Sequence, residues 1–327
     1  MWFISIIAML CWSGSDLFSK AGSRLDDKLS HYKVGIAVGG IMGIHALYSI
    51  TLGGIPFSFS DIITYLPASI LYIASMMLGY IALRYIELSV SSPICNSSGA
   101  LALIFSLFYF GVKWVEDEEV DGIFLNAPII IGVVMIVLGV ISLGFVEYRE
   151  NDEARALRQA VSGRKYTKSL LAIALPVIYC LLDACGTFVD TLIADNYMVG
   201  LAERFPTMDA DAMDLLCGDI LNTAYEFTWF FMAIIFAIYV FGIRREKLDR
   251  RFDGIKGLGG LCETLGQVFY MMVVVSDYKV GLVIISAYCA LSLLWSRLFL
   301  KEKLSLKHYA AIAAAFIGIV ILGIYDV

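Results

Sequence analysis

Residues 127–147 read APIIIGVVMIVLGVISLGFVE, a stretch in which only the last residue is charged. An α-helix of this length spans about 30 Å, the thickness of the hydrocarbon core of a bilayer. The rest of the chain shares this character, because 60% of its 327 residues are hydrophobic and only 17% are charged. A membrane β-barrel would instead alternate polar and apolar residues in segments of about ten. The sequence therefore predicts an all-α polytopic membrane protein.

Apolar stretches of this kind alternate with short charged segments along the whole chain. Each stretch is about 17 to 25 residues long, which is enough for a helix to cross a bilayer. The ten predicted transmembrane helices are residues 2–20, 34–52, 65–85, 92–112, 127–147, 169–193, 220–242, 257–275, 280–300 and 309–325.

The distribution of basic residues predicts the orientation of these helices. Lys and Arg concentrate in the cytoplasmic loops of membrane proteins. All but three of the 24 Lys and Arg residues lie in or beside the loops that follow the odd-numbered helices. We therefore predict that both termini are external in a bacterial-type plasma membrane. Residues 149–168 and 244–256 would be cytoplasmic, and the acidic loop 194–219 would be external.

The two halves of the chain resemble each other. Residues 90–106, VSSPICNSSGALALIFS, align without a gap with residues 280–296, VGLVIISAYCALSLLWS, and share six identities. Because each half holds an odd number of helices, the two copies would be inverted in the membrane, as in alternating-access transporters. We predict two inverted five-helix repeats at residues 1–147 and 169–327, joined by a basic cytoplasmic linker at 148–168.

Three stretches carry a family resemblance: WSGSDLFSK (12–20), SPICNSSGALALIFSLFYFG (92–111) and ISAYCALSLLWSRLFLKEKLSLKHYAAIAAAFIGIVILG (285–323). Together with the five-plus-five plan, they resemble the drug/metabolite transporter superfamily, in its ten-helix branch with two EamA-type domains. The resemblance implies a secondary transporter whose cavity is walled by the first four helices of each half. It also implies cytoplasmic termini, the reverse of the orientation that the charges predict.

Carboxylates inside the predicted helices are the first candidates for a binding site, because charged groups are costly in a membrane and are usually functional there. Asp183 lies near the middle of the sixth helix, and helical spacing puts Tyr179 and Asp190 on the same stripe. Two carboxylates on one buried face can hold a proton, a sodium ion or a cationic substrate. The alternatives are a hydrogen bond between helices and, for Asp190, a wet external mouth.

A second polar stripe on the eighth helix contains Glu263, Gln267 and Tyr270. Glu263 lies close to the predicted cytoplasmic end, so the alternative is a vestibule residue or a partner for a basic loop residue. Asn96 on the fourth helix is a further candidate for the cavity, because the repeat places it opposite Ser286.

The first helix carries Asp16 and Lys20, four residues apart near its predicted cytoplasmic end. We predict a pair that neutralises itself, with Lys20 extending towards the interface. The alternative is a gate or substrate carboxylate that Lys20 closes. Trp12 lies one turn before Asp16, as Tyr179 lies one turn before Asp183, and either ring could stack on a cation.

The function that these observations favour is secondary active transport of small organic metabolites or drugs, coupled to a proton or sodium ion or working by exchange. The excess of acids in the helices favours cationic, zwitterionic or neutral polar substrates. A membrane-embedded enzyme acting on lipids would need a catalytic cluster, which the scattered His31, His45 and His308 do not supply, and a receptor or scaffold would not need an inverted repeat. We predict no cofactor, no metal and, from the net charge of −6, no nucleic-acid partner.

Overall fold

Helices dominate the computed structural model, which describes residues 2–24, 26–114, 122–150, 153, 155–157, 160, 170–275 and 279–325. The helices are α1 (Trp2–Gly22), α2 (Ser30–Thr51), α3 (Phe59–Ala82), α4 (Leu88–Cys95), α5 (Ser98–Phe110), α6 (Ala127–Arg149), α7 (Leu170–Arg204), α8 (Ala210–Ala237), α9 (Arg250–Val275), α10 (Lys279–Ser286), α11 (Tyr288–Leu298) and α12 (Leu306–Tyr325). A π-helical turn, Ile238–Ile243, extends α8. Two short strands, β1 (Val112–Lys113) and β2 (Ile123–Phe124), pair in parallel.

Eight segments within the described residues are long and apolar enough to cross a membrane. They correspond to α1, α2, α3, the α4–α5 pair, α6, α7, α8 with its π turn, and α12. Many of their large apolar side chains face outwards, such as Ile131, Leu138 and Phe145 of α6. The chain is therefore a helical multi-pass membrane protein. The two other predicted helices, residues 257–275 and 280–300, correspond to α9 and to the short helices α10 and α11, and they lie outside these eight segments.

The helices pack in pairs that join the two halves of the chain. The most extensive contacts are those of α1 with α9, α2 with α8, α3 with α7, and α6 with α12. Small residues allow these close approaches. A Cβ at Gly139 would lie 2.6 Å from the backbone nitrogen of Ala315, and one at Gly318 would lie 2.6 Å from the carbonyl oxygen of Gly132. The α6–α12 pair therefore depends on glycine at both positions.

Two segments at matching places in the two halves are broken helices. Helix α4 ends at Cys95 and α5 begins at Ser98, whereas α10 ends at Ser286 and α11 begins at Tyr288. The Asn96 side-chain amide donates to the Ser286 carbonyl at 2.9 Å, so the two breaks contact each other directly.

The acidic segment 194–219 is not the long loop that we predicted. Helix α7 continues to Arg204 and α8 begins at Ala210, which leaves only a short connection. Apolar residues recur at helical spacing in the first part of the segment, and Ala194, Tyr197, Met198 and Leu201 pack into the largest buried cluster. The acidic residues between them obscured this periodicity in the sequence.

Candidate functional site

A cavity of about 610 Å³ lies between the helices of the two halves. Its volume is in the range of small-molecule sites. The nine residues that the sequence singled out all line it: Trp12, Asp16, Asn96, Tyr179, Asp183, Asp190, Glu263, Gln267 and Tyr270. They come from α1, the α4–α5 break, α7 and α9, so the fold brings both halves of the chain to one space.

The cavity is open at one end and sealed at the other. At the open end the lining includes Asp195 and Asp214, which are exposed. At the sealed end it includes Ser19, Leu83 and Leu88, which are buried. A molecule that enters this structure therefore enters between α7 and α8.

Asp183 lies where α7 meets α3 and α5. One carboxylate oxygen accepts a hydrogen bond from the Ser98 hydroxyl at 2.7 Å, and the other accepts one from the Ser75 hydroxyl at 3.2 Å. Neither partner is charged, so these bonds orient the carboxylate and leave its charge uncompensated. A cation in the cavity is the natural partner for that charge.

Asp190 lies two turns further along α7, closer to the open end. Its carboxylate accepts a hydrogen bond from the Tyr65 hydroxyl at 2.7 Å, and the Tyr72 hydroxyl lies 3.4 Å from its other oxygen. Sequence reasoning missed both tyrosines and the serines around Asp183. The seven-residue spacing of Tyr65 and Tyr72, which places them on one face of α3, was the available signal.

Asp16 does not form the pair with Lys20 that we predicted. Its carboxylate instead accepts hydrogen bonds from Ser92 at 2.8 Å and from Ser292 at 2.7 Å. The buried ammonium group of Lys20 donates to the Leu83 carbonyl at 2.5 Å and to the Ile86 carbonyl. The reason is the position of α3, whose C-terminal carbonyl groups and helix dipole attract a cation to the same spot.

The stripe on α9 faces the aromatic part of the cavity. The Trp12 ring lies against Tyr270, with 5.1 Å between centroids, and packs over Gly266, which leaves room for the indole. Glu263 interacts with the Ser15 hydroxyl of α1. Glu263 lines the same cavity as Asp16 and Asp183.

The charge of the cavity has one sign. Six carboxylates line it, and no Lys or Arg occurs among its described lining residues; the six are Asp16, Asp183, Asp190, Asp195, Asp214 and Glu263. Eight aromatic rings surround them: Trp12, Tyr65, Tyr72, Tyr80, Tyr179, Tyr225, Tyr270 and Tyr288. A narrow, acidic space with aromatic walls favours cations electrostatically and through cation–π contacts.

Ion pairs close the sealed end. The Lys256 ammonium on α9 lies 2.8 Å from Asp27, in the connection between α1 and α2, and 2.7 Å from Asp253. The Lys33 ammonium lies 3.2 Å from the same oxygen of Asp27. Burial raises the pKa of the Asp27 carboxyl, but the two ammonium groups outweigh burial and hold its pKa below the usual range. These contacts tie α1, α2 and α9 together.

A separate polar cluster lies where α6 meets α12. Ligand atoms of Glu147, Glu150 and His308 lie within 4.8 Å of one another, a spacing that suits a metal ion. The guanidinium of Arg155 already contacts both glutamates, and His308 Nε2 lies 3.0 Å from Glu147. Sequence reasoning treated His308 as isolated, because the residues that meet here are far apart in the chain.

The lining of the cavity is therefore the main chemical feature of the described structure. No protein-family model matches the chain, and no curated protein matches its sequence. The function is inferred from the residues themselves.

Proposed function

We propose that the protein is a secondary active transporter of small organic cations that works by alternating access. The observation that carries this proposal is the cavity, which holds six carboxylates and no described Lys or Arg and is open at one end only. Zwitterionic or neutral polar substrates fit the same cavity if their positive or donor groups face the acids. A proton, a sodium ion or a counter-substrate would supply the driving force.

The arrangement of helices supports two inverted five-helix repeats and ten crossings. If α4–α5 and α10–α11 each count as one helix, the pair α1–α9 joins the first helix of one half to the third of the other, and α3–α7 does the same in reverse. The pairs α2–α8 and α6–α12 join equivalent helices. Exchanging the two halves therefore leaves this pattern of contacts unchanged, which is what an internal two-fold axis requires.

The two broken helices support a binding site at the centre of such a fold. Discontinuous helices at corresponding positions of two repeats expose backbone polar groups, and transporters use them at the substrate site. Here Asn96 at one break lines the cavity beside Tyr288 at the start of the helix after the other. These features agree with the resemblance to the drug/metabolite transporter superfamily.

The charge distribution supports an outward-open state in a bacterial-type plasma membrane. If the basic loops are cytoplasmic, the exposed acids Asp195 and Asp214 stand at the external mouth. The ion pairs of Lys256 with Asp27 and Asp253 then form the closed cytoplasmic gate.

Uptake into proteoliposomes tests the proposal, with tetraethylammonium and tetraphenylphosphonium as radiolabelled probes. We expect Asp183→Asn to lower pH-driven accumulation by about tenfold or more, because the variant keeps the size of the side chain and a polar group in its place but removes the charge. The matched control is Asp211→Asn, an exposed residue of α8 that does not line the cavity. Equal uptake by Asp183→Asn and the wild type, or no uptake of either probe by the wild type, would contradict the proposal.

A further inference from the structure

A line of side-chain hydrogen bonds leads away from the cavity into the α2–α8 interface. The Gln267 amide nitrogen donates to the Asn222 oxygen at 3.0 Å, and the Asn222 amide nitrogen donates to Glu226 at 3.3 Å. The imidazole Nδ1 of His45 lies 2.9 and 2.8 Å from the two oxygens of Glu226. Gln267 and Asn222 line the cavity, whereas Glu226 is fully buried behind its wall.

The direction of this line follows from hydrogen-bonding chemistry. An ionised carboxylate can only accept, so Glu226 requires the nitrogen of the Asn222 amide. The Asn222 oxygen then accepts from the Gln267 nitrogen, which leaves the Gln267 carbonyl oxygen for the cavity. The buried negative charge of Glu226 therefore orients both amides, so that the cavity wall presents the carbonyl oxygen of Gln267 and not its NH2 group.

We propose that His45 and Glu226 form a proton-binding site that controls the affinity of the cavity for cations. Without the proton, neutral His45 donates through Nδ1–H and the pair carries one negative charge. A proton from water binds the other ring nitrogen, Nε2, and makes the pair neutral while the Nδ1–H bond to Glu226 remains. The neutral pair then orients the Asn222 and Gln267 amides less strongly. The cavity wall therefore holds the Gln267 carbonyl oxygen in place less firmly, and it binds a cation more weakly.

The accessibility of the two residues fits this role. The His45 side chain is 28% exposed and the Glu226 side chain is 0% exposed, so of the two residues the histidine is the one that can meet a proton from outside the protein. The pair is held between two tightly packed helices, because a Cβ at Gly43, two residues before His45, would lie 2.3 Å from the Phe230 ring. The distance between imidazole and carboxylate is therefore fixed.

Three further titratable groups lie near the pair of His45 and Glu226 but are not members of the hydrogen-bonded line. Asp219 on α8 adds a negative charge that acts on His45, and Tyr48 on α2 lies 6.2 Å from the imidazole ring. Tyr225 precedes Glu226 on α8, but its ring lines the cavity and packs against Tyr72 of α3. Helix α9 contributes only the neutral amide of Gln267 to the line.

This inference deepens the proposed function and rests on it for its meaning in transport, since it names a site at which protons regulate the binding of the transported cation. It adds a proton site outside the carboxylates that touch the substrate. Nothing in the sequence pairs His45 with Glu226, because they lie on different helices, 181 residues apart.

Nuclear magnetic resonance can test the site without any substrate, because the chain has three histidines and two glutamines. The full-length protein in nanodiscs, labelled with ¹⁵N in histidine rings and glutamine side chains, is titrated from about pH 4.5 to about pH 9. Single substitutions of His31 and His308 assign the ring signals, and Gln159 is the internal reference for the amide. We expect the His45 ring and the Gln267 amide to shift with the same midpoint.

Three variants test which hydrogen bonds carry the effect of His45 protonation to Gln267. Glu226→Gln should lower the His45 midpoint by about one pH unit or more and abolish the shift of Gln267. Asn222→Ala should leave the His45 titration in place and abolish only the shift of Gln267. The matched control is Asn196→Ala, an exposed asparagine of α7 whose amide donates to the Leu192 carbonyl; it should change neither signal.

Three results would overturn the inference: a His45 ring that does not titrate in this range, a wild-type Gln267 amide that ignores the titration of His45, or tetraphenylphosphonium that binds with the same affinity on both sides of the His45 midpoint. Should Glu226→Gln fail to fold, Asn222→Ala decides the question alone. Tetraphenylphosphonium binding to the same samples separates this inference from the transport proposal. If the probe does not bind at any pH but the two signals titrate together, the proton site stands and the transport proposal fails.

Discussion

Individual charges determine how the sealed end of the cavity is held. Lys20 is buried and donates to carbonyl groups at the end of α3, whereas Asp27 collects the ammonium groups of Lys33 and Lys256. Removing one partner of a buried ion pair costs about 3–5 kcal/mol, because the other charge stays behind in a poorly solvated place. These contacts are therefore sensitive to substitution and to pH.

We expect Asp27→Asn to destabilise the protein at neutral pH by about 1–3 kcal/mol, since Asp27 is still partly solvated. The pKa of Asp27 is lower in the folded protein than its unfolded value of about 3.9. Its contribution is therefore complete above that value and is lost as the pH falls through the folded pKa. Thermal unfolding in detergent between about pH 3 and about pH 7 measures this.

The matched control for that measurement is Asp26→Asn, at an exposed neighbour whose partner is the exposed Arg24. It should change the melting temperature little, because surface ion pairs contribute about 0–1 kcal/mol. An Asp27→Asn variant that unfolds like the wild type at every pH would show that the ion pairs do not hold the sealed end.

Individual residues also show which contacts could be predicted from the sequence and which could not. The stripes on α7 and α9 were predictable, because a carboxylate on an apolar helix is rare and helical spacing fixes its face. The partner of Lys20 was not, because the carbonyl groups that attract it lie just after the end of α3, more than sixty residues away. Serines that bond Asp16 and Asp183 gave no signal either, since serine also occurs at helix crossings as a small residue.

The helices that line the cavity are distinct from the packed pair α6–α12. The α6–α12 pair packs through Gly139 and Gly318, and neither helix contributes to the lining of the cavity. The helix positions were predictable from hydropathy, because apolar length decides whether a segment can cross a membrane. The break after α10 was not, because no proline or glycine marks it at Ala287.

We expect Gly139→Val to destabilise the protein by about 1–3 kcal/mol, because the added Cβ meets the backbone of Ala315 at 2.6 Å and neither helix can yield locally. Thermal unfolding in detergent measures the loss. Binding of tetraphenylphosphonium to the folded fraction should stay at the wild-type affinity, since α6 does not reach the cavity.

Gly200→Val on α7 is the matched control, because a Cβ there meets no atom within 4 Å. It should unfold close to the wild-type temperature. If both valine variants were equally destabilised, helix propensity rather than the contact between α6 and α12 would explain the loss.

The whole molecule combines one open end, one sealed end and a lopsided distribution of basic residues. Together they support an outward-open transporter, but only the charges define which side is external. The shape of the cavity and the orientation of the chain can therefore be tested in one experiment.

Cysteine labelling in intact cells tests both, in a background in which the seven native cysteines are replaced by serine. We expect a membrane-impermeant maleimide to label Asp195→Cys from outside, because this residue is exposed at the mouth. Glu246→Cys, in the basic connection before α9, should react only after the cells are opened. Ser19→Cys, buried at the sealed end, should stay protected from outside.

The reversed pattern, with Glu246→Cys labelled in intact cells, would overturn the orientation and leave the fold untouched. Labelling of Ser19→Cys from the cytoplasmic side would show that the sealed end opens readily. Uptake of the probe cations by the cysteine-free background controls for its folding.

Helix α7 has 35 residues and is therefore about 52 Å long, whereas the hydrocarbon core is about 30 Å thick. Its last turns, with the first turns of α8, must stand beyond the lipid and carry their acidic residues into water. A collar of negative charge at this height concentrates cations from the surrounding solution, and ions screen it over about 8 Å at physiological ionic strength. If the protein takes up cations as proposed, the rate of capture is thereby linked to the salinity of the medium, and dilute surroundings favour capture.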